Sequence, residues 1–206
     1  EAAWLKDQGK LRLQDPASKH TRLLAAADKR TITVEQLLLH TSGLPSVVWS
    51  GNKPHHGRGL VLSRVRKATL KAAPGERFGY SDTGYIVLGE LVRAASGQRL
   101  DVLTHARIYK PLGMCSTGFK PPARRLSRVM SSWPEPGKKG KAYDPLATRL
   151  AGVAGHAGLF SSADDLARFG QMMLNGGALQ GARVLSPATV ANMVRPRTMP
   201  RPARPP

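Results

Sequence analysis

Tyr80, Ser81 and Asp82 combine the residue types and the setting that chemistry needs. They lie in Pro74-Gly75-Glu76-Arg77-Phe78-Gly79-Tyr80-Ser81-Asp82-Thr83-Gly84-Tyr85, where a Pro-Gly turn delivers a short aromatic segment into a helical pattern. At such a junction the backbone is held from both sides while side chains still face a cleft. The Tyr80 phenol can serve as general acid or base if nearby cations lower its pKa from about 10. Asp82 can accept hydrogen bonds or cap the helix beside it. Taken alone, the pattern equally describes a half-buried packing tyrosine beside a turn.

Three further groups invite a chemical reading. His156 stands in Ala151-Gly152-Val153-Ala154-Gly155-His156-Ala157-Gly158, a run of small residues that lets backbone approach backbone or a ligand. Ser50-Gly51-Asn52-Lys53 has the spacing of a serine nucleophile and its lysine base. That pair needs a helical turn to face each other. Ser50 lies in a loop rich in Gly, Pro and His, so the match reads as coincidence. Cys115 is the single cysteine; it excludes an internal disulfide, offers no metal cluster, and reads as a small packing residue. No motif for a metal or another cofactor is present.

The elements around these residues follow from periodicity and caps. A helix over Glu1–Gln8 stops at Gly9. Thr33 with Gln36 forms a capping box for a helix from Val34 to His40. A helix is expected over Leu62–Lys71, leading into the Pro74-Gly75 turn. The next runs from Tyr85 to Ala95, apolar at Ile86, Val87, Leu88, Leu91 and Val92, and stops at Gly97. Leu100–Ile108 is expected to be helical. Ser162 is expected to cap a helix with Asp165 as its reciprocal partner, and Leu166, Phe169, Met172 and Met173 form its apolar stripe. Ser186-Pro187 starts a last helix, with Ser at the cap and Pro in the first turn.

Residues 120–145, rich in Pro, Gly, Lys and Arg, read as a long loop or insertion. Residues 195–206 read as a disordered Arg/Pro tail without a packed element. The remaining 1–194 form one domain or part of one. No apolar run reaches the roughly 20 residues that a bilayer span requires. The first residue is Glu1, not Met, so the natural N-terminus is expected to lie elsewhere.

The net charge is +19. Such a charge invites a nucleic-acid reading. Much of it falls in 124–141 and in the tail, where aromatics do not interleave with the cations as a single-strand stacking surface requires. Nucleic-acid binding is therefore a minority reading.

Several of these stretches together resemble the serine beta-lactamase-like hydrolases: class C beta-lactamases, DD-peptidases and related esterases. The resemblance is carried by Gly9-Lys10-Leu11 with Asp15-Pro16, by Ile32 to Pro45 with its His40-Thr41-Ser42-Gly43, and by Pro74 to Asp82. It continues in Tyr109-Lys110-Pro111-Leu112-Gly113-Met114 and in Gly155 to Phe169. It implies an α+β, beta-lactamase/transpeptidase-like fold, here mostly the helical part with little of the antiparallel sheet. It also implies an acyl-enzyme mechanism in which a Ser-x-x-Lys serine attacks a carbonyl and a tyrosine helps move its proton.

Carried over residue by residue, Tyr80 matches the Tyr of Tyr-x-Asn, and Asp82 stands where Asn is commonest. An ionised carboxylate cannot donate a hydrogen bond. It would instead draw a catalytic Lys into an ion pair, which leans towards an esterase- or peptidase-like variant. Ser81 and His156 are the candidate substrate-binding residues. His156 is read as a cleft-wall residue, the alternative being a packing His among small neighbours. The resemblance places Ser-x-x-Lys on the helix whose end is Glu1–Gln8 and a Lys/His-Thr/Ser-Gly strand after the last helix, and neither is matched. The chain is thus expected to be an internal, by itself inactive, fragment of a hydrolase acting on a small-molecule or peptide-like substrate, without metal or other cofactor. A non-catalytic remnant or binding module with the same cleft is the alternative. Export to the periplasm or beyond is implied for the parent protein.

Overall fold

A computed structural model of the chain describes residues 1–48, 57–131 and 139–200. Its centre is α4 (Asp82–Ser96), a helix of 15 residues. Ser81 caps it by accepting the Gly84 N–H, and Gly97 ends it in the left-handed conformation at φ 69°. Asp82 in the first turn and Arg93 in the last both complement the helix dipole. Ile86, Val87, Leu88, Leu91 and Val92 are buried as the periodicity requires. Each such side chain contributes roughly 1.5–3 kcal/mol of burial.

Short helices surround α4. They are α1 (Ala2–Asp7), α2 (Val34–Leu38), α3 (Arg58–Lys67), α5 (Leu100–Thr104) and α6 (Pro145–Arg149). With α4 they bury one apolar cluster that includes Leu5, Leu24, Ile32, Leu37, Val61, Leu103 and Leu146. Both bonds of the Thr33–Gln36 capping box are present at α2. Past Thr104 the α5 chain continues as a π-turn over His105–Tyr109.

A second cluster gathers Tyr109, Leu112 and Met114 with α7 (Ala163–Leu174), α8 (Pro187–Val194) and the segment between them. Trp4 packs against both clusters. Ser186 caps α8 with Pro187 in its first turn, as expected from the sequence. Sheet is sparse among the described residues. The antiparallel pair β1 (Gly118–Phe119) and β2 (Leu159–Phe160) sets Gly118 opposite Phe160. The pair β3 (Ala178–Leu179) and β4 (Ala182–Arg183) sets Ala178 opposite Arg183. The small-residue run does bring backbones together: a Cβ on Gly155 would stand 2.1 Å from the Tyr85 carbonyl oxygen.

Local pattern fails where distant groups claim the backbone. The third helix ends at Lys67, four residues before Lys71, because Ala68 turns extended. There the Ala68 carbonyl accepts the Lys29 ammonium at 2.9 Å, and the Lys71 N–H reaches the Gly43 carbonyl at 2.8 Å. Asp165 does not return to the Ser162 N–H: its carboxylate accepts from the Ser116 N–H and the Thr117 hydroxyl, both at 2.7 Å. Leu166, expected in the stripe of α7, is 57% exposed. Cys115, expected to pack, is exposed, and its carbonyl accepts from the Arg125 guanidinium.

Within 120–145 the chain forms a 3₁₀ turn over Ala123–Arg128 and buries Ala142. In the tail, Arg195–Pro200 has no regular structure, yet Arg197 pairs with Glu35 at 2.9 Å and bonds Asn192 at 3.0 Å. No helix among the described residues is long and apolar enough to cross a membrane.

Candidate active site

The stretches Ile32 to Pro45 and Pro74 to Asp82 meet as a laced corner. The chain leaves α2 through Leu39 and reverses at His40, whose φ is +56°. Its next residues then run against the approach to α4. The Gly79 N–H donates to the His40 carbonyl at 2.9 Å and the Gly75 N–H to the Thr41 carbonyl at 2.7 Å. The Ser46 carbonyl accepts the Asp82 N–H at 2.8 Å and the Thr83 N–H at 3.3 Å, which satisfies orphan donors of the α4 N-terminus. Gly43 is required here, since a Cβ would stand 2.1 Å from the Ala72 carbonyl oxygen.

This lacing fixes Tyr80 at the mouth of the corner. Tyr80 is 63% exposed, so it is not the half-buried packing residue that the bland reading offered. Its ring lies 4.6 Å from the His40 ring at a tilt of 32°. The ring is held while the phenol faces outward, an arrangement suited to passing a proton to or from a bound molecule. Asp82 sits in the first turn of α4, where the helix dipole favours its carboxylate. The cap itself belongs to Ser81.

Ser81 is 1% exposed, and its hydroxyl makes two hydrogen bonds within the corner. It accepts the Gly84 N–H at 3.0 Å and donates to the Pro45 carbonyl at 2.8 Å. Ser81 therefore builds the corner: its single hydroxyl proton goes to the Pro45 carbonyl and the side chain is buried. His156 is likewise enclosed. Its side chain is 2% exposed, and its Nε2 meets the Asp144 carboxylate at 2.8 Å, which closes the segment 144–156. This packed histidine is the alternative that the sequence left open, in place of an open cleft wall. Burial raises the Asp144 carboxyl, but the hydrogen bond from His156 and the N–H groups of α6 outweigh it and leave the group below 3.8. Ser50 and Lys53 lie outside the described residues.

His40 is the site residue that sequence reasoning passed over as a helix end. Its Nδ1 accepts the Ser81 N–H at 3.0 Å, and its ring stacks on Tyr85 at 4.9 Å. Burial lowers its pKa from 6.5, against the opposing pull of the Asp82 charge. The available signal was a histidine just past the helix, in a position where a left-handed φ is required and His tolerates it. Tyr85 donates its hydroxyl to the Leu38 carbonyl at 3.1 Å. Burial and the neighbouring Tyr80 push its pKa above 10. Tyr85 thus supports the corner from behind and stays protonated.

A separate cleft of about 290 Å³ is lined by Arg58, Glu90, Arg93, Arg99, Asp101 and Lys120. Its carboxylates are already paired: Glu90 with Arg58 and Arg93, and Asp101 with Arg99. Tyr80 does not line it.

Comparison with known proteins agrees with the fold. The Beta-lactamase family model matches residues 2–205. A protein of Escherichia coli O157:H7 named as a D-alanyl-D-alanine carboxypeptidase is 32% identical over 222 residues, covering 90% of this chain and 50% of its own length. The chain thus spans about half the length of the curated relatives it matches. Among solved structures, a penicillin-binding protein homologue from Caulobacter crescentus aligns over 98% of this chain and 60% of its own, with TM-score 0.73 and 21% identity. EstCE1, described as a hydrolase with promiscuous acyltransferase activity, aligns over 92% of this chain and 58% of its own, with TM-score 0.68 and 25% identity. The likeness at the lower identity concerns the fold.

Proposed function

The chain belongs to the beta-lactamase family, and from that premise we propose that it serves a serine hydrolase which cleaves amide or ester bonds through an acyl-enzyme, with Tyr80 in the proton relay. The observation that carries this reading is the pose of Tyr80. Its phenol is exposed at the head of α4, while its ring is fixed against His40. A proton carrier needs that combination of a fixed body and an open hydroxyl.

Asp82 follows two residues later as an anion in the first turn of α4. In the proposed mechanism it attracts the ammonium of a lysine base, which helps to keep that lysine near Tyr80. It cannot donate to a substrate carbonyl, as an amide side chain at that position would. The substrate class proposed is therefore a peptide-like amide or an ester, in keeping with relatives named as carboxypeptidases. No nucleophile is assigned within the described residues. The only Ser-x-x-Lys spacing in the chain, Ser50 to Lys53, lies outside them.

Covalent labelling with a fluorescent penicillin or fluorophosphonate tests the reading. It is applied to this chain and to a longer chain of the same reading frame, with the labelled residue located by mass spectrometry. Labelling of a serine in the longer chain, slowed by Tyr80→Phe, is the expected result. No labelling of either chain would move the weight to a non-catalytic binding role for the same corner.

A further inference from the structure

His40 is tied to the residues on both sides of Tyr80. Its carbonyl accepts the Gly79 N–H and its Nδ1 accepts the Ser81 N–H, at 2.9 and 3.0 Å. Its ring meets Tyr80 at 4.6 Å, Tyr85 at 4.9 Å and the edge of Phe78 at 6.1 Å. An N–H donor on Nδ1 requires a lone pair there, so a neutral ring carries its proton on Nε2. The residue holds all this at φ +56°, a backbone conformation that side-chain-bearing residues seldom adopt. Such strain persists where surrounding contacts over-determine it, and it clusters at functional positions.

We propose that His40 is a positioning residue for Tyr80: its neutral Nε2–H imidazole grips the Ser81 amide and lies tilted against the Tyr80 ring, so that the phenol keeps one direction. This rests on the reading of Tyr80 as the proton carrier. The imidazole works without touching the substrate. Protonation would turn Nδ1 into a donor facing another donor, and the grip on Ser81 would be lost. The titratable groups that face the ring are Asp82, Tyr80 and Tyr85.

Two variants separate the parts of the device. H40N tolerates the left-handed backbone and places an acceptor oxygen where Nδ1 stood, but removes the stack. H40F keeps an aromatic ring and removes the acceptor. The first readout uses the unmodified chain: a two-bond proton–nitrogen correlation spectrum of the histidines. An unprotonated Nδ1 on His40 is expected, and a protonated Nδ1 at neutral pH would overturn the proposal without any variant being made.

The second readout is hydrogen exchange at the Ser81 amide. Loss of one net hydrogen bond corresponds to about fivefold faster local exchange. That acceleration is expected in H40F, with H40N close to wild type, and an unchanged rate in H40F would overturn the proposal. The third is the Tyr80 ring resonance, which is expected to follow the imidazole titration while the buried Tyr109 does not. A Tyr80 resonance indifferent to that titration would also overturn it. None of these readouts measures turnover. A Tyr80→Phe variant that keeps its full acylation rate would instead remove the proton-relay reading and leave the grip on Ser81 intact.

Discussion

The Asp7 carboxylate at the end of α1 accepts the backbone N–H of Ser186 at 2.7 Å, joining positions 179 residues apart. The same carboxylate accepts the Ser186 hydroxyl at 2.9 Å and the Thr189 hydroxyl at 2.6 Å. Burial would raise the Asp7 carboxyl, but the bonds from Ser186 and Thr189 and the charge of Lys6 outweigh it and hold it below 3.8. One side chain of the first helix thus organises the start of the last. Asp7→Asn keeps the size but replaces one acceptor by a donor facing those groups. It is expected to cost about 1–3 kcal/mol of stability. Urea unfolding of the variant beside wild type measures this, and an unchanged midpoint would contradict it.

Gly155→Ala is expected to destabilise more than a surface substitution. The added methyl would meet the Tyr85 carbonyl oxygen at 2.1 Å and the Gly89 backbone nitrogen at 2.9 Å. Both contacts are backbone, so relief requires α4 and the small-residue segment to move apart. Overpacking of this kind costs typically 1–3 kcal/mol and here reaches about the top of that range. Thermal unfolding reads the loss. The Ser81 amide should shift with it, since α4 begins there.

Stability should fall on acidification in two stages. His40 has a folded pKa below its ordinary 6.5. Between the folded and unfolded values the unfolded chain binds more protons, so its contribution is fully present above the unfolded value and is lost as pH falls through the folded one. Asp7 and Asp144 are also lowered, from 3.8, so theirs persists above that value and is lost as pH falls through the folded values. Denaturant midpoints measured from about pH 7 to about pH 3 should show both stages. H40N should erase the upper stage alone, and a flat midpoint across the upper range in wild type would contradict this.

Asp82→Asn is expected to alter preference more than fold. The side chain keeps its place in the first turn of α4 and gains a donor. Under the proposed mechanism, lactam turnover should rise relative to ester turnover by about fivefold, the scale of one net hydrogen bond. Parallel assays on nitrocefin and a nitrophenyl ester in the longer protein measure the ratio. An unchanged ratio would remove the role proposed for the carboxylate.

Much of the helical frame was legible because its signals are local. Thr33 with Gln36, Ser186 with Pro187, and Gly97 after Ser96 all fix helix ends with atoms a few residues away. Tyr80 was legible as a candidate because a turn, an aromatic and a helix start converge there. What escaped depends on partners far along the chain. The third helix stops early for Lys29 and Gly43, and Asp165 turns from its own cap to Ser116 and Thr117. His156 is claimed by Asp144 and enclosed, and His40 shows its weight only once Ser81 and Tyr80 are folded against it. Periodicity carries no information on such meetings.

The measurement that bears most directly on the central claim is the rate of acylation by a fluorescent penicillin or fluorophosphonate in the longer protein and its Tyr80→Phe variant. The account predicts one labelled serine and a rate slowed by about 10²–10⁴, the usual worth of a positioned proton carrier. It also predicts that Tyr80→Phe unfolds at the wild-type midpoint, because the exposed phenol holds no part of the core. Equal acylation rates in the two proteins would contradict the assignment of Tyr80, and the laced corner would then be a structural feature only.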